Sequence, residues 1–168
     1  MSQQTLEVAD FELPNVATGP DPFRLHEYTG APDRDAVVLL FLRDYHCPKC
    51  RAQVETIASR YEEFTARNAA VVAILPESLE KTRQWNDADL PFALLADGSK
   101  TVGDQYDQPT RFGALGSLHD MIGRMPEALV IDSRGEEATV DYVHRGSSPG
   151  DRPSVDELLE RIDSFTEN

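Results

Sequence analysis

Cysteine is nearly absent from this sequence: 168 residues contain only Cys47 and Cys50. One pair three residues apart cannot staple a small secreted fold, which excludes a disulfide-framework domain. Lysine is also scarce, with Lys49, Lys81 and Lys100 standing against thirteen arginines. Positive charge as a whole is outnumbered, sixteen Lys and Arg against thirty Asp and Glu, for a net charge of −14. That field repels phosphate backbones and anionic headgroups, which argues against nucleic acid and membrane surfaces as partners. Long apolar runs are missing too. Ala36–Leu42 and Ala69–Leu75 hold seven residues each, far short of the roughly 20 that a membrane-spanning helix needs. The first residues, MSQQTLE, carry neither a basic n-region nor an apolar h-region, so the expected location is the cytoplasm.

What is present describes an ordinary folded domain with an unusual surface. Forty per cent of the residues are hydrophobic, enough for a core, and the length suits a single domain over residues 1–168. Acid-rich, lysine-poor surfaces suit concentrated salt, where counterions screen self-repulsion, and a halophilic setting is expected.

The hydrophobic pattern lays out an α/β chain. Phe11-Glu12-Leu13 and Phe23-Arg24-Leu25, set among turn formers, predict a small N-terminal hairpin. Ala36–Leu42 and Ala69–Leu75 are unbroken and rich in β-branched residues, the pattern of strands buried on both faces. Between them Val54, Ile57, Ala58, Tyr61 and Phe64 recur at helical spacing from Cys47 onward, with Asn68 as the stop. A helix over 77–86, a strand over 92–96, a strand over 127–131 and a hairpin partner over 138–144 follow. A last helix opens with the Ser154/Glu157 capping box and buries Val155, Leu158, Leu159, Ile162 and Phe165. Residues 97–124, rich in glycine, predict a short helix and a long connection. The sum is a three-layer α/β sandwich around a mixed sheet.

The chemistry concentrates at Cys47-Pro48-Lys49-Cys50, where a buried strand runs into a helix. Residues three apart share a helix face, close enough for a disulfide after a small adjustment. Cys47 falls at the cap, where unpaired N–H groups and the positive helix end favour an anion. Pro48 suits the first turn. Lys49 adds a cation, and His46 stands next to Cys47. Together these lower the Cys47 thiol from about 8.5 towards neutrality and make it the nucleophile, with Cys50 as the resolving thiol.

The string FLRDYHCPKCRAQ resembles the thioredoxin-like superfamily, and within it the peroxiredoxin-like AhpC/TSA redoxin group. The likeness runs from about Phe11 to Phe165 and includes the PEALVID strand opened by Pro126. It implies a thioredoxin-like fold with an N-terminal hairpin extension and a cis bond between Met125 and Pro126, facing the cysteines. It also implies a thiol-dependent antioxidant enzyme. Cys47 attacks a peroxide or disulfide, Cys50 closes Cys47–Cys50, and an external dithiol system resets the pair. The redox-active disulfide serves in place of a cofactor.

The chain departs from the family at several positions. Leu40 and Asp44 stand where peroxiredoxins carry Pro and Thr, seven and three residues before the nucleophile, and Pro126 stands where they carry Arg. Arg43 and Arg124 are the nearby substitutes for that arginine. Phe41 occupies the place of the buried Asp of thioredoxins. These departures keep two alternatives open, a dedicated protein-disulfide reductase and a non-catalytic redox-sensing or metal-binding module. A metal site would need Cys47, Cys50 and His46 joined by His119 or His144, and no spacing supports it. Asp44 is a candidate proton acceptor or a solvated loop carboxylate, His26 and His144 read as ordinary residues, and Tyr45 and Trp85 as packing. Gly113, Gly116 and Gly123 make no phosphate cradle.

Overall fold

A strand that is apolar at every position needs cover on both faces, and the chain supplies it. The computed structural model describes residues 8–86, 89–109 and 124–166. The hairpin pairs β1 (Glu12–Leu13) with β2 (Phe23–Arg24), and α1 (Leu25–Thr29) follows. The main sheet comprises β3 (Ala36–Phe41), β4 (Ala69–Leu75), β5 (Ala93–Ala96), β6 (Glu127–Asp132) and β7 (Thr139–Arg145). Its order is β5-β4-β3-β6-β7. The β3–β4 and β4–β5 pairs are parallel, while β3–β6 and β6–β7 are antiparallel. Every residue of β3 and β4 is buried.

Alternation along β3 divides the core in two. Val38, Leu40 and Leu42 pack with both cysteines, with α2 (Pro48–Ser59) and with α6 (Val155–Thr166). Val37, Leu39 and Phe41 face Phe11, Phe23, Leu25 and the α5 (Thr101–Gln105) side. The residues expected to form the α6 stripe are all buried, and Ser154 Oγ accepts from the Glu157 amide at 3.1 Å as the capping box predicts. Between β1 and β2, residues 14–18 run alongside β5. Val16 N–H donates to Leu94 O and Ala96 N–H to Pro14 O, and the Asn15 side chain accepts from Leu94 N–H. No described helix is long and apolar enough to cross a membrane.

The structure corrects two expectations. The helix read as continuous from Cys47 breaks at Arg60 (φ −116°, ψ 20°) and resumes as α3 (Tyr61–Thr65). There the Arg60 guanidinium reaches Glu63 and, across the fold, Asp156. Phe64 stays buried and Asn68 ends the segment with φ 54°, so the apolar period and the stop survive the break. The second correction is Pro126. The cis peptide bond among the described residues precedes Pro22, and the Met125–Pro126 bond is trans. Trans is the resting preference of an X–Pro bond by about 0.5–1 kcal/mol, and the flanking groups are already satisfied in that form. Met125 N–H donates to Pro109 O, Gln108 Nε2 to Met125 O, and Gly146 N–H to Pro126 O. The helix expected over 77–86 is α4 (Leu79–Trp85). The short helix expected in the 97–124 connection is α5, and residues 110–123, with Gly113, Gly116, His119 and Gly123, lie outside the described residues.

Candidate active site

The route from β3 into α2 places the cysteine pair at the C-terminal end of a central strand, against the apolar floor of Leu40, Leu42 and Val54. Cys47 is the helix cap, and its sulfur accepts from the Cys50 amide at 3.1 Å, with Pro48 in the first turn. The two cysteines are joined as a disulfide with Cα atoms 5.3 Å apart, inside the usual range for such bonds. Cys47 is only 3% exposed and Cys50 is fully buried.

The cation on the sulfurs belongs to Arg152, in the segment between β7 and α6. Its Nη2 lies 3.0 Å from Cys50 Sγ and 3.4 Å from Cys47 Sγ. The rest of the guanidinium is fixed, Nη1 donating to Gln53 Oε1 at 2.6 Å and Nε to Pro149 O at 2.8 Å. Burial, and secondarily the like charge of Arg43, pulls Arg152 down to about 10. Such a cation gains from a nearby anion, and a thiolate is the one that the site can generate. Arg43 contributes through its backbone: its N–H donates to Cys50 Sγ at 3.2 Å, while its side chain donates to Arg124 O at 2.9 Å.

The loop carrying Arg152 is braced. Asp151 accepts from Ser147 N–H and lies 2.9 Å from His144 Nε2, contacts that hold its carboxyl below the usual range, the Ser147 amide foremost. The Ser154 cap follows two residues later, so both sides of Arg152 are tied down.

The other candidates fall into two groups. Arg43 meets the pair, whereas the Arg124 side chain turns away to Asp104 at 2.9 Å. Asp44 accepts from His46 N–H at 2.9 Å and shapes the loop, and the His46 ring packs edge-on against Tyr45. Lys49 is exposed, and its stem crosses Gly150, with Nζ 3.5 Å from the place that a Gly150 Cβ would occupy. Pro126 packs against Gly146, where a Cβ would approach the proline ring within 2.8 Å.

Two residues escaped the sequence reading. Arg152 is 102 residues from Cys50, and its only signal was an arginine framed by Pro149, Gly150 and Pro153 just before a helix. Glu127 is the other. It pairs across the ladder with Phe41, the place at which thioredoxins keep a carboxylate, so the buried acid sits one strand over. Burial raises its carboxyl to about 8, opposed by Arg145 at 3.7 Å and assisted by Asp107. Glu127 shares the Phe41 face of the sheet, whereas the cysteines pack on the other, so it is not poised as a direct base for the sulfurs.

A family model described as the AhpC/TSA family matches residues 5–138, ending before β7 and Arg152. A selenocysteine-containing peroxiredoxin, PrxU of Peptoclostridium acidaminophilum, is 31% identical over 106 residues, 58% of this chain and 50% of that protein. The match thus spans about half the length of that relative. Among solved structures, the peroxidoxin BcpB of Mycobacterium tuberculosis superposes with a TM-score of 0.75 at 26% identity, over 96% of each chain. The reduced 2-Cys peroxiredoxin of Plasmodium vivax matches with a TM-score of 0.75 at 18% identity, over 96% of this chain and 80% of its own, a likeness of fold.

Proposed function

Because the chain belongs to the AhpC/TSA family, we propose that it is a thiol-dependent antioxidant oxidoreductase of the peroxiredoxin kind. The observation that carries this reading is the pair of near-buried sulfurs bridged by one guanidinium. In the reduced protein the Cys47 thiolate attacks the terminal peroxide oxygen. The O–O bond breaks, the alcohol or water departs with a proton, and Cys47 becomes the sulfenic acid. Cys50, as thiolate, then attacks the Cys47 sulfur, releases water and closes the disulfide. One cation in contact with both sulfurs suits consecutive thiolates, first on Cys47 and then on Cys50. Thiols from outside the chain return two electrons.

A lone Cys-x-x-Cys also suits dithiol–disulfide exchange without peroxide, and one experiment separates the two. Reduced protein is mixed with peroxide in a stopped-flow instrument, with Cys47→Ser and Cys50→Ser alongside and insulin disulfides as the competing substrate. Fast peroxide consumption that is lost in Cys47→Ser supports the peroxidase. Turnover of insulin alone supports the reductase. The reading extends to a reducing cytoplasm, which suits such a pair, and to concentrated salt, which suits thirty carboxylates beside three lysines.

A further inference from the structure

Resting on that reading, we propose that Gln108 is a positioning residue for the resolving thiol. It holds the Leu42–Arg43 peptide group so that its N–H donates to the Cys50 sulfur.

A peptide group has two polar ends, and both are taken here. The Arg43 N–H donates to Cys50 Sγ at 3.2 Å. The carbonyl of the same peptide unit, Leu42 O, accepts from Gln108 Nε2 at 3.0 Å. That nitrogen also donates to Met125 O at 3.2 Å. Two carbonyl acceptors require the NH2 end of the amide, so the Gln108 side chain has one orientation. The β3–β6 ladder ends at the Phe41–Glu127 pair, and Gln108 ties the two chains together just beyond it. Gln108 is itself buried, and α5 holds it in place: its backbone N–H donates to Gly103 O at 2.9 Å. Gly103 leaves no spare room, since a Cβ there would stand 2.6 Å from Gln108 Oε1 and 2.9 Å from Arg124 Nη1.

A bond accepted at the peptide oxygen polarises the N–H at the other end, and a low-dielectric interior strengthens the chain. The gain falls on the ionised sulfur, because a thiolate accepts a stronger hydrogen bond than a thiol. It also falls on one sulfur. Cys50 Sγ accepts from the Arg43 amide and from Arg152, whereas Cys47 Sγ accepts from the Cys50 amide and from Arg152. Arg152 is the charged side chain that meets Cys50. The Arg43 guanidinium turns to Arg124 O, the Arg124 guanidinium to Asp104, and Glu127 lies on the Phe41 face of the sheet. In the resolving step the Cys50 thiolate attacks the sulfenic sulfur of Cys47. The S–S bond forms, the S–O bond breaks, and the departing hydroxide takes up the proton that Cys50 gave, leaving as water.

The test is Gln108→Met, which keeps the bulk and removes the donor. In a Cys47→Ser background, the ultraviolet absorbance of the Cys50 thiolate is titrated against protein lacking both cysteines. Weakening one hydrogen bond to an anion should raise the Cys50 pKa by about 1 unit, about tenfold less thiolate at a pH below it. In a Cys50→Ser background the Cys47 thiolate should move by less than about 0.3 unit. Gly103→Ala is the second variant and decides alone if Gln108→Met does not fold. The atoms its methyl would meet are the ends of flexible side chains, so the fold survives while Gln108 is displaced, and the Cys50 pKa should again rise. Phe23→Leu, in the N-terminal hairpin, is the comparison for general loosening and should move neither titration. An unchanged Cys50 titration in the folded variants, or equal shifts of Cys47 and Cys50, would overturn the proposal. None of these titrations uses peroxide, so a failure of peroxide turnover would count against the peroxidase reading instead.

Discussion

Removing the Arg152 charge while keeping its size, as Arg152→Gln, tests whether this residue makes the thiolate. The guanidinium lies 3.0 and 3.4 Å from the two sulfurs. A unit charge pair at about 4 Å is worth about 4 kcal/mol at the effective dielectric of about 20 near a protein surface. Arg152 is only partly buried, and water would refill part of its place in the variant, so about half of that survives, about 2 kcal/mol. At 1.36 kcal/mol per unit, the Cys47 thiol should rise by about 1.5 pKa units, and alkylation at neutral pH should slow roughly thirtyfold. The assay is the pH profile of iodoacetamide alkylation in a Cys50→Ser background, where only Cys47 reacts. Arg152→Lys, which keeps the charge but not the fork, should recover part of the shift. Lys49→Gln is the discriminating comparison. The sequence pointed to Lys49 as the local cation, whereas in the structure its stem crosses Gly150, so its profile should move by less than about 0.5 unit. A larger shift from Lys49 than from Arg152, or identical profiles for Arg152→Gln and Arg152→Lys, would refute the reasoning.

Glu127→Gln probes a buried acid on the other face of the sheet. Its folded pKa, about 8, exceeds the ordinary 4.5, so the unfolded state ionises first and stability falls as pH rises from about 4.5 to 8. The variant should flatten that decline and gain on the order of 2–4 kcal/mol at pH 8 in urea melts; an unchanged pH slope would show that the carboxyl is ionised in the folded protein. Ser154→Ala removes the α6 cap next to Arg152. It should cost about 0.5–2 kcal/mol and also slow Cys47 alkylation; a loss of stability with unaltered reactivity would uncouple the cap from the site. Melting temperature should climb steadily from 0.05 to 2 M KCl as carboxylate repulsion is screened, and a flat or falling curve would end the expectation of a high-salt setting.

The parts legible in the sequence are those that local pattern determines. Seven-residue apolar runs marked β3 and β4, turn formers bounded the hairpin, and Ser154 with Glu157 announced α6. The Cys-Pro-Lys-Cys string fixed the helix cap and the disulfide, because both lie within one helical turn. Illegible features depend on packing between distant segments. The contact of Arg152 with Cys50 spans 102 residues and is set by where the loop after β7 lands, so one arginine among thirteen gave no spacing to read. The break at Arg60 answers to Asp156 across the fold, and Glu127 is buried by neighbours in the sheet rather than by its own apolar pattern. Pro126 misled because the resemblance carried the family's backbone geometry with it, whereas the carbonyl and amide partners at Pro109, Gln108 and Gly146 are met by a trans chain.

The segment at residues 14–18 has a consequence for assembly. By donating to and accepting from β5, it occupies one margin of the five-stranded sheet and leaves that margin no free ladder for another chain. The opposite margin is β7, whose outer hydrogen-bonding groups are not taken by another strand of the sheet. Exposed margins of this kind are templates for strand addition, and charged side chains discourage it. β7 carries Asp141, His144 and Arg145. Extension of the sheet along this margin by a second copy would pair two β7 strands, and the antiparallel register centred on Val143 would set Asp141 of each strand opposite Arg145 of the other, an attraction that salt weakens.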